Sequence, residues 1–228
     1  MKPLQIAIDG PVAAGKGDIA ARIAKKFGLL YVYTGAMYRA LALACIRKGI
    51  PTKDTQGVLD VLDKSTIELV DPGRANRLPY KVLLNGEDVT EEIFQQRVAM
   101  GASDVSTIPQ VRVFMVERQK ELARGKAVVM EGRDIGLRVL PKAQLKIYLT
   151  ASVEERAHRR WLQWKEKSIE KSLEEVIDDT KKRDVQDTMR RADPLQRLPD
   201  AWELDTTAMD QQRVVDAIEK ELTKRNLL

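Results

Sequence analysis

The chain has 228 residues, of which 43% are hydrophobic and 32% charged, a composition typical of a globular protein with one substantial core. Its single cysteine excludes an intramolecular disulfide, and no stretch approaches the ~20 apolar residues of a membrane helix. The net charge of +5 would suit either a nucleic acid or a small anion. An aromatic content of 5% is low for a surface that stacks bases, so a basic cleft for a small anion explains the charge at least as well. The N-terminus passes directly into a strand, so no signal peptide is expected. We therefore expect a cytoplasmic protein that acts on a small molecule, without a nucleic-acid or membrane partner.

The first fifth of the chain predicts two strand–helix units. An apolar strand over residues 4–8 precedes the loop D-G-P-V-A-A-G-K-G at 9–17, and a helix over 16–27 follows that loop. Residues 29–32 form a second short strand. Thr34 is a plausible N-cap for the next helix, which runs to about residue 48, where glycine and proline end it.

The loop after the first strand has the pattern of a phosphate-binding loop. Gly10 and Gly15 let the backbone N–H groups turn inward, the following helix N-terminus adds partial positive charge, and Lys16 can reach the β- and γ-phosphates of a nucleotide. Such loops normally end in a hydroxyl residue that binds Mg²⁺, but Gly17 and Asp18 follow the lysine here. Asp18 either helps to hold the metal, directly or through water, or serves as a helix N-terminal acid. The predicted ATP-binding residues are Gly10, Pro11, Val12, Ala13, Ala14, Gly15, Lys16, Gly17 and Asp18.

The middle of the chain predicts a small antiparallel β insert within an α/β fold. Two short strands are predicted over 65–70 and 80–84, and Asn85-Gly86 is typical of a tight hairpin turn. Helices are predicted over 91–100 and 109–123.

The second half of the chain returns to alternating strands and helices. Continuous apolar runs at 127–130 and 145–149 indicate buried parallel strands, and a last strand and helix are predicted over 202–205 and 211–222. The whole order predicts a doubly wound parallel sheet flanked by helices. Because ligands of such sheets bind beyond the carboxyl ends of the strands, we expect the phosphate loop, Thr34 and the E-G-R-D segment at 131–134 to converge on one cleft.

Arginines and acids supply the remaining candidates. Arg183, Asp187 and Arg190 are spaced to share one helical face, which alone fits a surface ion-pair ladder, whereas the Arg-Asp pair at a strand end is more typical of a site. Converging arginines suit phosphoryl transfer, where catalysis is mostly positioning and charge stabilisation. The segment 154–192 is rich in both charges and is predicted to be helical with a break near Ser168, so it fits a mobile lid.

An ordered series of motifs resembles the bacterial cytidylate kinases. The motifs are I-A-I-D-G-P at 6–11, T-G-A-M-Y-R-A at 34–40, N-G-E-D-V at 85–89, E-G-R-D-I-G at 131–136, A-S-V-E-E-R-A-H-R-R at 151–160, R-D-x-x-D at 183–187 and A-D-P-L at 192–195. The resemblance covers nearly the whole chain. It implies a P-loop NTPase fold in a single domain over 1–228, with a nucleoside-monophosphate-binding insert at about 63–100 and a helical lid at about 154–190.

The resemblance also implies an activity, the transfer of the ATP γ-phosphate to CMP or dCMP with Mg²⁺, by a monomer. Around the cytosine and nucleoside it places Thr34, Ser103, Arg112 and Asp134. On the CMP phosphate it places Arg39, Arg133 and Arg190, and on the ribose and phosphate Arg183 and Asp187. Lys16 and the loop 10–18 would hold ATP, and Arg156 and Arg160 of the lid would stabilise the transferred group. Asp18 stands where the family usually has Thr or Ser, and His158, the sole histidine, has no metal-ligating cluster beside it.

Three other functions fit parts of the sequence. A P-loop kinase with a different small acceptor would share the phosphate chemistry. A nucleotide-binding regulator without turnover would explain Gly17 and Asp18 but not the retained lysine and arginines. A nucleic-acid-binding protein would explain the net charge, and its binding would depend steeply on salt.

Overall fold

A computed structural model of the chain describes residues 2–70, 80–166 and 168–228. The chain forms two compact units, the first from residues 1–30 and 127–228 and the second from residues 31–126. The elements in chain order are β1 (Gln5–Asp9), α1 (Lys16–Phe27), β2 (Leu30–Tyr33), α2 (Thr34–Arg47), α3 (Thr55–Asp63), β3 (Ile67–Val70), β4 (Lys81–Leu84), β5 (Glu87–Asp88), α4 (Gln96–Val105), α5 (Pro109–Ala123), β6 (Val128–Gly132), β7 (Leu145–Thr150), α6 (Val153–Glu166), α7 (Leu173–Met189), β8 (Trp202–Asp205) and α8 (Gln211–Lys224).

The first unit is built on a parallel sheet in which β6, β1, β7 and β8 are neighbours in that order. β1 lies between two partners, so its last residue, Asp9, stands opposite Gly132 on β6 and Tyr148 on β7. Side chains on both faces of β1, β6 and β7 are buried and mostly apolar, as is typical of parallel strands that are covered by helices on each side. The predicted parallel sheet is therefore confirmed, and β1 and β6 end side by side.

The second unit combines helices with a three-stranded antiparallel sheet in the order β3-β4-β5. Helix α2 packs against α3, α4 and α5. Asn85 and Gly86 connect β4 to β5 with φ values of 52° and 82°, the two positive values that a tight hairpin of this kind requires. The predicted hairpin is confirmed, while residues 71–79 of the predicted insert lie outside the described residues.

The second unit also departs from the predicted elements. Helix α3 is additional: Asp54 caps it by accepting a hydrogen bond from the Gly57 N–H at 3.2 Å, and one face of the helix is buried. The helix predicted over 91–100 is instead a short 3₁₀ helix, Glu92–Phe94, followed by α4, because Gln95 has an extended ψ of 145° between them.

The cap predicted for α2 is wrong by one residue. Tyr33 is the N-cap, with an extended φ of −86° and ψ of 92°, and Thr34 is the first helical residue. Thr34 is buried, so its side chain is held inside the second unit instead of closing the helix end.

The charged segment of the first unit forms α6 and α7. The predicted break lies between the end of α6 at Glu166 and the start of α7 at Leu173. Ser168 has a φ of 55° within this break. A capping box between Ser172 and Glu175 starts α7. Among the described residues, every helix falls short of the length and apolar character that crossing a bilayer demands.

Candidate active site

The loop between β1 and α1 has the backbone geometry of a phosphate-binding loop. Gly10 has a φ of 155°, and a Cβ atom there would lie 2.0 Å from the carbonyl oxygen of Leu149, so only glycine fits. Ala13 and Gly15 also have positive φ values, 59° and 86°. The structure describes no side-chain cap at the start of α1, which leaves the N–H groups of its first turn for water or a bound anion.

Lys16 is buried at the start of α1, with 5% of its surface exposed. Its Nζ atom donates hydrogen bonds to the carbonyl oxygens of Gly10 and Pro11, at 2.8 and 2.7 Å. Burial, followed by the positive charge of Arg133, lowers the pKa of Lys16 to about 7, although nearby carboxylates act in the opposite direction. The loop therefore holds an amine whose charged form an arriving phosphate would stabilise.

Lys16, Arg133 and Asp187 lie close enough for their charges to affect one another. Arg133, which follows β6, donates from Nε to the Oδ2 atom of Asp187 at 2.6 Å and from Nη1 to the Gly132 carbonyl oxygen at 3.1 Å. The Nε atom of Arg183 lies 3.5 Å from Oδ1 of the same carboxylate. Burial raises the pKa of Asp187, but the charges of Arg133 and Arg183 outweigh burial and leave the pKa below its usual value.

A second pair joins the loop after β6 to the chain beyond α7. The Nη2 atom of Arg190 lies 3.3 Å from Oδ1 of Asp134, and its Nε atom donates to the Asp193 carbonyl oxygen at 2.7 Å. Arg190 follows the last residue of α7 and has an extended ψ of 142°, so the helical face predicted for Arg183, Asp187 and Arg190 does not include it. Asp187 is 3% exposed, which also excludes the surface ion-pair ladder.

Arg156 of α6 is buried against the phosphate-binding loop. It donates to the carbonyl oxygens of Ala151 and Val12, at 2.9 and 3.0 Å, and to Oδ2 of Asp184 at 2.7 Å. Arg160 lies one turn further along α6, where its guanidinium carbon is 4.8 Å from the ring centroid of Trp164. Of the two predicted lid arginines, Arg156 therefore contacts the loop directly.

Asp18 and Gly17 differ in how they are exposed at the end of the phosphate-binding loop. Asp18 is exposed in the first turn of α1, and Gly17 is half-buried. In residues 2–70, 80–166 and 168–228, no three histidine, cysteine or acidic side chains are grouped so that they could hold a metal ion. Of the two side chains that follow Lys16, only the Asp18 carboxylate thus offers an oxygen to a cation, because Gly17 has no hydroxyl.

Arg39 is held in place within the second unit. Its Nε atom donates to the Tyr33 hydroxyl oxygen and its Nη1 atom to the Ile93 carbonyl oxygen, each at 2.9 Å. The guanidinium also lies over the ring of Phe94, 5.7 Å from the centroid. The side chain is therefore oriented before any ligand arrives.

Ser103 and Arg112 are buried near the ends of α4 and α5 in the same unit. Arg112 is 2% exposed; its Nη1 atom donates to the Ser106 carbonyl oxygen at 3.4 Å, and its guanidinium carbon is 5.9 Å from the Tyr38 ring centroid. Ser106 in turn donates to the Ser103 carbonyl oxygen at 2.8 Å. An arginine buried to this degree needs polar partners, and α4 supplies one of them.

Three buried or half-buried acids in the first unit were not predicted as site residues. Asp9 ends β1, Glu131 lies in β6 and favours the charged form of Lys16, and Asp184 pairs with Arg156. Asp9 and Glu131 each lie near the carboxyl end of a strand predicted to be buried. An acid at that position was the signal that sequence reasoning did not use.

The sequence is similar to one protein family over nearly its whole length. A family model described as cytidylate kinase matches residues 6–224. The cytidylate kinase of Caldicellulosiruptor saccharolyticus is 44% identical over 218 residues, which cover 96% of this chain and 95% of that protein. The cytidylate kinase of Bacillus pumilus is 45% identical over 217 residues, 95% of each.

Among solved structures, a gluconokinase from Sinorhizobium meliloti 1021 has a similar fold. It is 12% identical, its TM-score is 0.51, and the match covers 98% of this chain and 93% of that one. At that identity the likeness concerns the fold alone, and it supports the predicted α/β fold.

Proposed function

The chain belongs to the cytidylate kinase family, and from this premise we propose that it transfers the γ-phosphate of ATP to CMP or dCMP, as a cytoplasmic monomer. The observation that carries the proposal is the buried Lys16 of the phosphate-binding loop beside the ion pair of Arg133 and Asp187. Phosphoryl transfer needs positioning and positive charge more than covalent chemistry, and these residues supply both.

The donor nucleotide is assigned to the loop 10–18. Lys16 exchanges the carbonyl oxygens of Gly10 and Pro11 for phosphate oxygens, which favours its charged form. The N–H groups at the start of α1 contact the phosphates, since anions bind readily at helix N-termini. The buried Arg156, fixed to the Val12 carbonyl oxygen, holds the loop in shape and brings a positive charge to the transferred group, as does Arg160.

Mg²⁺ would neutralise charge between the reacting phosphates when bound. The donor set fits a hard cation only in part: Asp18 is an exposed carboxylate, and Gly17 lacks the usual hydroxyl. Because Mg²⁺ usually keeps several waters and binds through one or two carboxylates and the substrate phosphates, waters and substrate phosphates would supply most of its ligands here, and the Asp18 carboxylate is not essential to it.

The acceptor phosphate is assigned to arginines that carry carboxylate partners in this structure. Arg133 and Arg190 pair with Asp187 and Asp134, and a phosphate group would replace or share those contacts, because arginine binds both anions through the same two-pronged geometry. Arg39, which the second unit orients in advance, has the same role.

The nucleoside is assigned to the polar side chains that the family resemblance places around it. Thr34, Ser103 and Arg112 of the second unit are buried, and we propose that they contact the cytosine together with Asp134. Arg183 and Asp187 are assigned to the ribose and phosphate. Buried polar side chains suit the recognition of one base, because a base that cannot match their hydrogen bonds binds weakly.

The test is ADP formation from Mg·ATP with CMP, dCMP, UMP and AMP in parallel assays. We expect fast turnover with the two cytidine nucleotides only. Turnover with another acceptor would keep the chemistry and overturn the substrate, and ATP binding without any turnover would favour a regulator.

A matched pair of variants ties this activity to the site. Arg133→Ala should lower turnover by orders of magnitude, whereas Arg118→Ala, which removes an exposed arginine paired with Glu121, should not. Equal turnover of the two variants would contradict the assignment of Arg133.

A further inference from the structure

Asp9 is a buried carboxylate at the centre of the sheet. It is the last residue of β1, it stands opposite Gly132 and Tyr148 on the two flanking strands, and 7% of its surface is exposed. The next residue, Gly10, begins the phosphate-binding loop. A carboxylate in this position is costly unless hydrogen bonds compensate for its lost hydration.

Two backbone groups of the loop after β6 supply that compensation, at the start of a short π-helical turn over Ile135–Val139. The Oδ1 atom accepts a hydrogen bond from the Ile135 N–H and the Oδ2 atom from the Gly136 N–H, each at 2.8 Å. Each carboxylate oxygen therefore accepts one hydrogen bond, and the two donors are consecutive residues 126 and 127 positions further along the chain. Arg133 and Asp134 immediately precede these two residues.

Residue 136, which donates to Asp9, is closely surrounded by side chains. A Cβ atom there would lie 3.2 Å from Cδ of Lys146, 3.3 Å from Cδ1 of Leu198 and 3.4 Å from Oδ2 of Asp9. Gly136 is thus enclosed on several sides, and its N–H is directed at the carboxylate. The position of the loop depends on this contact as well as on the strand β6.

We propose that Asp9 is a positioning residue for phosphoryl transfer: its carboxylate holds the Ile135–Gly136 backbone and thereby keeps Arg133 and Asp134 in place beside the phosphate-binding loop. The inference rests on the proposed function. Asp9 acts through the main chain, since its two oxygens are occupied by backbone N–H groups, and it joins the start of one phosphate-binding segment to the other.

The protonation state of Asp9 gives the inference a specific signature. Burial raises the pKa of Asp9 to about 6, although the hydrogen bonds from Gly136 and Ile135 limit the rise. The charged groups that face it are Asp134 in the loop and Lys16 on α1, with Lys146 of β7 beside Gly136. Protonation places a hydrogen on one carboxylate oxygen, so one of the two backbone hydrogen bonds is weakened or lost.

The test compares the steady-state kinetics of wild type and Asp9→Asn with saturating CMP. In the variant an amide NH₂ group faces one of the two N–H donors, so we expect kcat to fall about 10- to 100-fold while KM for ATP changes less than about threefold. The ratio of wild-type to variant kcat should decline as the pH falls below 6, and substrate ionisation cancels in that ratio. An unchanged kcat, or a ratio that does not vary with pH, would overturn the proposal.

Two further variants keep the outcome decisive. Asp200→Asn removes the exposed partner of Lys146 without touching the Asp9 hydrogen bonds, and it should leave kcat unchanged. Gly136→Val places a branched side chain in this enclosed position, where small shifts of Lys146 and Leu198 cannot make room for it, so it should displace the loop and reproduce the loss in kcat; if Asp9→Asn does not fold, a normal kcat in Gly136→Val overturns the proposal. If the wild type does not turn over CMP, that result counts against the proposed function. The positioning role is then tested by amide exchange, which should be faster at Ile135 and Gly136 in Asp9→Asn.

Discussion

Arg133 donates a hydrogen bond from its Nε atom to the Oδ2 atom of Asp187 at 2.6 Å, although the two residues are 54 positions apart in the chain. The pair joins the loop after β6 to helix α7. Asp187 has 4% of its side chain exposed and Arg133 has 20%, so the carboxylate is the more desolvated partner. It therefore serves as an internal counter-ion for the arginine that we assign to the acceptor phosphate.

Asp187→Ala should destabilise the folded protein by about 1.5 to 3 kcal/mol, because it removes the charged hydrogen bond from Arg133 and the ion pair with Arg183. Urea unfolding monitored by circular dichroism measures the change. Glu117→Ala is the matched control: Glu117 pairs with Lys120 but has 63% of its side chain exposed, so about 0 to 1 kcal/mol is expected. Similar losses in both variants would contradict a buried counter-ion.

The same carboxylate has a defined pH dependence. Since the pKa of Asp187 is below its usual value, its contribution to the free energy of unfolding is present above pH about 4 and disappears as the pH falls through the lower, folded-state pKa. The difference in stability between wild type and Asp187→Ala should therefore shrink as unfolding is repeated at increasingly acid pH.

Gly10→Ala should prevent the phosphate-binding loop from forming, because its Cβ atom would lie 2.0 Å from a backbone oxygen of β7. Gly28→Ala is the matched control. Gly28 also has a positive φ, 65°, but no atom lies within 4 Å of a Cβ there among the described residues, so only the conformational cost of about 1 to 2 kcal/mol is expected. Thermal unfolding should separate the two, and a smaller loss for Gly10→Ala would show that the loop can shift.

The order of strands and helices could be predicted from the sequence because it depends on local patterns. The apolar runs of β6 and β7, the loop around Lys16 and the Asn85-Gly86 turn each carry their signal within a few residues. Helix α3 carried one too, in its capping residue Asp54 and its apolar spacing, but the segment was not assigned.

The partners of the charged side chains could not be predicted in the same way. Arg156 donates to the Val12 carbonyl oxygen 144 positions away, and this contact exists only because the strands bring α6 to the phosphate-binding loop. The burial of Asp187 likewise depends on packing between distant segments, which helical spacing alone does not reveal. The sequence thus predicted most of the charged residues that the structure pairs in the first unit, but not which of them hold one another.

Asp18→Thr should retain or raise turnover and lower the concentration of Mg²⁺ needed for half-maximal activity. A carboxylate near the phosphates repels them unless a cation lies between, and threonine supplies the hydroxyl that this loop lacks. Titration of Mg²⁺ at fixed ATP measures the effect, with Asp18→Asn as the control that removes charge without adding a hydroxyl. A collapse of activity in both variants would show that the carboxylate has an active, metal-related role.

ATP binding should be accompanied by proton uptake at Lys16. With a pKa of about 7, roughly nine-tenths of the Lys16 side chains are neutral at pH 8, and the charged form is the one that a triphosphate stabilises. Binding therefore restores the proton, so affinity is greatest below pH 7 and falls up to about tenfold per unit as the pH rises above it.

Titration calorimetry of Mg·ATP at pH 8, in buffers with different enthalpies of ionisation, counts the protons taken up. Wild type should take up close to one proton per ATP, and Lys16→Met close to none, with turnover lowered by orders of magnitude. Lys26→Met removes an exposed lysine paired with Glu219 and should behave as wild type. If Lys16→Met binds ATP with the same uptake, the proton belongs to another group, and Lys16 is then charged before the nucleotide arrives.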